Sequence, residues 1–108
     1  MLLNLPKPIA FYFRAERGDG KAIARCFAPN AVVKDEGNTY HGLPAIKLWQ
    51  AAPKKKYTYT SEPITFEEQG GRIVVTSRVT GDFPGSPVDL KFSFSLHENR
   101  IASLEIAP

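Results

Sequence analysis

Asp35 closes the short run Ala31-Val32-Val33-Lys34-Asp35 and is the residue best placed for proton-transfer chemistry. Strand alternation puts Ala31, Val33 and Asp35 on one face and Val32 and Lys34 on the other. A carboxylate on an apolar wall is a candidate general base. The competing reading is a strand-end acid that binds loop amides or a nearby basic side chain. Tyr12, Trp49, Tyr57, Tyr59, Phe92 and Phe94 either line a site for a flat apolar ligand or fill the interior, and Phe94 reads as core. A buried Trp49 N–H or Tyr57 hydroxyl needs a partner, which a ligand or Asp35 would supply. Phe11, Val33 and Ser77 complete the candidate lining.

The remaining reactive residues carry less. Cys26 sits beside Ile23 and Phe27 and reads as a small core residue, not a nucleophile. His41 falls in a polar stretch before a helix, and His97 at a hairpin turn. Arg78 points away from the interior by alternation; a bulge would turn it toward Asp35 or an anionic ligand. The two histidines are far apart and near no carboxylate or thiol cluster at ligand spacing, so no metal is expected. No glycine-rich phosphate loop, Ser-His-Asp order or nucleotide fingerprint occurs. Any chemistry is therefore expected to be cofactor-free proton transfer or water addition.

The chain of 108 residues is read as one domain, and its 43% apolar share is enough for a single core. No apolar run approaches the ~18 residues of a spanning helix, and Met1–Pro8 has no signal-peptide core. A cytoplasmic protein with no membrane partner is expected, in keeping with the single cysteine. The net charge of +3 is modest. Its densest part, Lys54-Lys55-Lys56, reads as a solvated linker without any nucleic-acid motif, so no nucleic-acid partner is expected.

The elements that must position these residues follow in order. Asn4 is the expected cap of a first helix from Leu5 or Pro6, with Ile9, Tyr12, Phe13 and Glu16 on one side. Gly18 ends it and Asp19 caps a second helix, Gly20 to about Phe27. Pro29-Asn30 turns into strand Ala31–Asp35; Glu36-Gly37-Asn38 is a loop and Thr39–His41 a brief strand. A third helix runs from about Leu43 to Ala52, with Ile46 and Trp49 on its buried side. Strands are expected over Lys56–Phe66, Arg72–Thr80, Val88–Leu96 and Ile101–Ile106. Val88, Leu90, Phe92, Phe94 and Leu96 face inward. Three N-terminal helices packed on a curved antiparallel sheet make an α+β cone whose open end is a pocket.

The run AERGDGKAIARCFAPNAVVKDEG followed by TYHGLPAIKLW resembles the SnoaL-like branch of the nuclear transport factor 2 superfamily. The shared elements are a Gly-Asp between the first helices, F-A-P-N-A-V-V-K-D at the first strand, and the Gly42-Leu43-Pro44-Ala45-Ile46 helix entry. The resemblance covers nearly the whole chain and is more specific for fold than for activity. The superfamily holds isomerases, cyclases, dehydratases, epoxide hydrolases and non-enzymes. By the register of ketosteroid isomerases, Asp35 takes the place of the general base. The positions of the two oxyanion donors fall on Phe11 and Phe92, neither of which can donate. Each such donor is worth about 2.7–4 kcal/mol in the transition state, so steroid isomerisation is not expected. Tyr12, about 100° further around the helix, is an imperfect substitute. The resemblance also implies a homodimer through the outer sheet face and a small hydrophobic ligand. The end of the chain just after the last strand suggests an open mouth. A non-catalytic dimeric module is the alternative.

Overall fold

The computed structural model describes residues 4–17, 23–50 and 59–108, with only the backbone described at residues 16, 17 and 59. Helix α1 (Lys7–Arg17) starts where the Ala10 N–H donates to the Pro6 carbonyl at 2.9 Å. That bond moves the cap from Asn4 to Pro6, where a missing N–H costs nothing. Ile9, Tyr12 and Phe13 share the buried side of the helix, as its apolar spacing predicts.

In the described part of the expected second helix, Ile23–Cys26 is a 3-10 turn followed at once by strand β1 (Phe27–Asp35), a correction; residues 20–22 lie outside the described residues. Proline at position 29 disfavours helical angles at Ala28 and pushes the chain into extended conformation. The described residues thus hold two α-helices, not three; the Gly18–Asp19 boundary lies outside them. Pro29-Asn30 is not a turn but an irregular part of β1, where the register against the neighbouring strand shifts between Phe27 and Val32. A bulge is one of the few places in a sheet where proline is tolerated.

Asp35 pairs with Asn38 across a two-residue turn, Glu36-Gly37, with φ of 52° and 80°. Both residues lie in the left-handed region that a tight hairpin requires, which begins strand β2 (Asn38–His41) one residue early. Helix α2 (Gly42–Gln50) follows directly. The remaining strands are β3 (Tyr59–Gln69), β4 (Arg72–Gly81), β5 (Val88–His97) and β6 (Arg100–Ala107). Positions 51–58, including the ends expected for the third helix and the next strand, lie outside the described residues.

All six strands form one sheet in the order β2-β1-β6-β5-β4-β3. The expected all-antiparallel sheet is corrected to a mixed one, because β6 runs parallel to β1. Its direction is set by its hairpin with β5, and its neighbour by long-range packing; period-two alternation records neither. Register shifts also occur in the β3–β4 and β5–β6 pairs. Such bulges bend their strands and increase the twist.

Side-chain facing follows the alternation. Ile73, Val75, Ser77 and Val79 are all buried on one face of β4, and Phe92 and Phe94 on β5. The Tyr12 and Phe13 rings lie 5.2–6.3 Å from those of Phe92 and Phe94. These edge and tilted contacts, with Val33, Ile101 and Leu104, form the core between α1 and the sheet. Among the described residues no helix is long and apolar enough to cross a membrane.

Candidate functional site

The register across the sheet places Asp35. It aligns with Ile106 on β6, Ile106 with Phe92 on β5, Phe92 with Val75 on β4, and Val75 with Phe66 on β3. Residues opposite one another point to the same side of a sheet, so Asp35 shares the face of buried Phe92 and Val75. The adjacent row is Val33, Leu104, Phe94 and Ile73, all buried. Asp35 is therefore the polar end of an otherwise apolar row, half-buried where β1 turns into its hairpin.

Helix α2 supplies its partner. The Trp49 indole Nε1–H donates to Asp35 Oδ2 at 3.1 Å. Tyr40 on β2 lies opposite Val33 and so on the same face; its ring sits 6.2 Å from Trp49 at 39°. The sequence reading missed Tyr40. Alternation alone leaves its facing open, and the tight hairpin decides it.

Asp35 also borders a concavity of about 230 Å³ formed by the β1–β2 hairpin with Glu105 and Ile106 of β6. A second, of about 220 Å³, lies over the outer sheet face between Val32, Lys34, Arg72, Ser103 and Glu105. Phe11, Tyr12, Val33, Trp49, Ser77, Phe92 and Phe94, all expected in the lining, border neither. Tyr12, Val33, Phe92 and Phe94 belong to the core cluster, and Phe11 is half-buried at its edge. Ser77 is buried and hydrogen-bonded to Ser61, 2.7 Å between hydroxyl oxygens. Of Tyr59 only the backbone is described, paired with Gly81. Tyr57 and Lys54-Lys55-Lys56 lie outside the described residues.

Arg78 is exposed on the outer face. Its Nε donates to Asp89 Oδ1 at 3.0 Å, and its Nη2 to Oδ2 at 3.5 Å. The hydrogen bond and charge of Asp89 push the guanidinium further up from its already high range. Cys26 is buried; its thiol donates to the Ile23 carbonyl at 2.8 Å, and burial pushes its pKa up to about 12. A thiol held neutral in this way is structural. His41 and His97 are exposed. Among the described residues no three His, Cys, Asp or Glu side chains converge as a metal site.

The SnoaL-like domain model matches residues 9–103. A Sinorhizobium meliloti protein, provisionally named a polyketide cyclase, is 43% identical, with 95% of each chain covered and a TM-score of 0.86. A Catenulispora acidiphila protein with a ketosteroid isomerase-like fold, solved with trimethylamine, is 17% identical at a TM-score of 0.81, over 97% of this chain and 87% of that one. SalBIII, an epoxide hydrolase/cyclase-like enzyme of pyran ring formation in the polyether salinomycin, is 21% identical at 0.72, over 94% and 87%. These last two share the fold. No curated protein matches at a significant level. The family model and the 43% identical relative together establish that this chain belongs to the SnoaL-like domain family.

Proposed function

We propose that this protein binds a small hydrophobic ring compound and acts on it as a cofactor-independent isomerase, cyclase or hydrolase, with Asp35 as general base. The observation that carries the reading is the placement of Asp35. It ends an apolar row, takes one hydrogen bond from Trp49, and borders a concavity of about 230 Å³. A fixed carboxylate beside apolar surface is suited to taking a proton from carbon or from water. The cyclase name of the 43% identical relative supports ring chemistry, and the trimethylamine complex supports a fold that receives small organic molecules. Tyr12, Trp49 and Phe92 belong to the proposed ligand surroundings, together with Phe11, Val33, Tyr57, Tyr59, Ser77 and Phe94. Because Tyr12, Phe92 and Phe94 are close-packed, they shape the site from beneath; Trp49 holds Asp35, and the surface beside Asp35 in the concavity is Asn38, Thr39, Glu105 and Ile106. One domain spanning residues 1–108, working in the cytoplasm, is part of the same reading.

The test uses 5-nitrobenzisoxazole, a ring compound opened by any competent carboxylate base. The base takes the proton from the ring carbon, the C–H pair forms the nitrile, and the N–O bond breaks to leave a coloured phenolate. Turnover above that of buffered acetate, lost in Asp35→Asn with the fold retained, is the expected result. Equal rates for the two proteins would sink the general-base assignment.

A second reading is a non-catalytic dimer formed through the outer sheet face. It is favoured by the half-buried surface of Val32, Val74, Thr76, Ser93 and Ser103, rimmed by the Arg78–Asp89 pair. Sedimentation of wild type against Ser93→Arg and Lys91→Glu decides it: a dimer that becomes monomeric supports the outer face, and an unaltered dimer rejects it.

A further inference from the structure

The Asp35–Trp49 hydrogen bond bears on how a carboxylate base would be aimed, a step that rests on the general-base reading above. A carboxylate has two oxygens, and an unanchored one presents either of them by rotating about χ2. Here Oδ2 accepts the indole N–H at 3.1 Å. The indole is itself restrained: it projects from the last turn of α2 and its ring meets Tyr40 at 6.2 Å. Tyr40 is tied to β1 through its pairing with Val33, two residues before Asp35. The three side chains close a loop in which the hairpin sets Tyr40, Tyr40 and the helix set Trp49, and Trp49 sets Asp35. Oδ1 has no hydrogen-bond partner among the described residues.

We infer that Trp49 is the positioning residue of Asp35: its N–H occupies Oδ2 and leaves Oδ1 as the proton acceptor. Trp49 touches no reacting atom in this role. Its contribution is orientation, and a small misplacement of a reacting group can cost about a hundredfold in rate. On its removal kcat falls because aim is lost, while KM is little changed. A residue that merely holds the fold together would not have its own N–H signal tied to Asp35.

Trp49 is the only tryptophan, so one indole N–H signal reports the contact directly in a ¹⁵N-labelled protein. This signal is expected to move on Asp35→Asn, which removes the charged acceptor of the N–H. With 5-nitrobenzisoxazole, Trp49→Phe is expected to lower kcat about tenfold or more while KM stays within about twofold. Trp49→His, which restores an N–H donor, is expected to recover part of the loss. An indole signal insensitive to Asp35→Asn, or Trp49→Phe with unchanged kcat, overturns the positioning role. An indole signal insensitive to Asp35→Asn together with turnover that does not depend on Asp35 removes both proposals. Turnover that depends on Asp35 but not on Trp49 removes only this one.

Discussion

Ser61 Oγ and Ser77 Oγ lie 2.7 Å apart on the inner face of β3 and β4, where Ser77 is fully buried and Ser61 is 4% exposed. One hydroxyl donates to the other, joining two strands inside a face otherwise occupied by Val75 and Val79. Deleting one member of a buried polar pair leaves the other unsatisfied at a cost of about 1–3 kcal/mol, whereas deleting both is close to neutral. Ser77→Ala is therefore expected to lower unfolding free energy by about 1–3 kcal/mol, and Ser61→Ala/Ser77→Ala by less than either single change. Urea denaturation of the three variants checks this. Additive losses would show that the hydroxyls act independently.

Phe94 is fully buried and touches Tyr12, Phe13 and Phe92 through its ring. Truncating such a residue costs about 3–5 kcal/mol, against a total of about 5–15 kcal/mol for a domain. Phe94→Ala is expected to bring the protein near its unfolding threshold, while Phe94→Leu loses less. A denaturation midpoint unchanged by Phe94→Ala would refute the packing described for the core.

Cys26 predicts an alkaline sensitivity. Burial raises its folded pKa from the ordinary 9.0 to about 12, so the folded state holds the thiol proton more tightly than the unfolded chain. Its stabilising contribution is complete below pH 9 and is lost as pH rises toward 12. Across that window wild type is expected to lose up to about 1.4 kcal/mol per pH unit relative to Cys26→Ala. Thermal unfolding of the two proteins between pH 8 and pH 11 measures the difference. The same thiol should resist alkylation until the chain is unfolded.

Gly42 joins β2 to α2 at a φ of 82°. A Cβ there would meet Pro29 O at 3.7 Å and Pro44 Cδ at 3.8 Å, both ordinary contacts. The cost of Gly42→Ala is therefore conformational, about 1–2 kcal/mol for a left-handed residue. A domain of this size would melt about 4–8 °C lower for each kcal/mol lost. Gly42→Asn, which tolerates this region better, should melt at a higher temperature than Gly42→Ala. Equal melting of the two variants would place the cost elsewhere.

Much of the architecture was legible before any coordinates. The period-two runs of β4 and β5 gave correct facing for Val75, Ser77, Phe92 and Phe94, because one face of a sheet must be dry and the other wet. Gly70-Gly71 and Glu98-Asn99 both adopt the positive φ that a tight hairpin turn requires. The helix expected after Gly20 was not found over Ile23–Phe27, because its apolar spacing suits helix and strand equally over so few residues and Pro29 tips the balance. The parallel pairing of β6 with β1 was also hidden, since strand direction leaves no trace in alternation.

By itself the sequence did not place every turn, since Pro29-Asn30 lies within β1, but it determined which residues are apolar enough to form the core and that Asp35 ends the first strand on the inner face. These follow from local backbone preference and from the need to bury every second residue of a half-covered sheet. Tertiary structure alone decided what Asp35 meets. Trp49 is fourteen positions away, and its contact depends on a tight hairpin and on the angle at which α2 leaves Gly42. The same holds for Tyr12, whose ring packs against Phe92 and Phe94 on β5. Whether an aromatic side chain fills a core or lines a cavity depends on the atoms opposite it, and those come from distant parts of the chain.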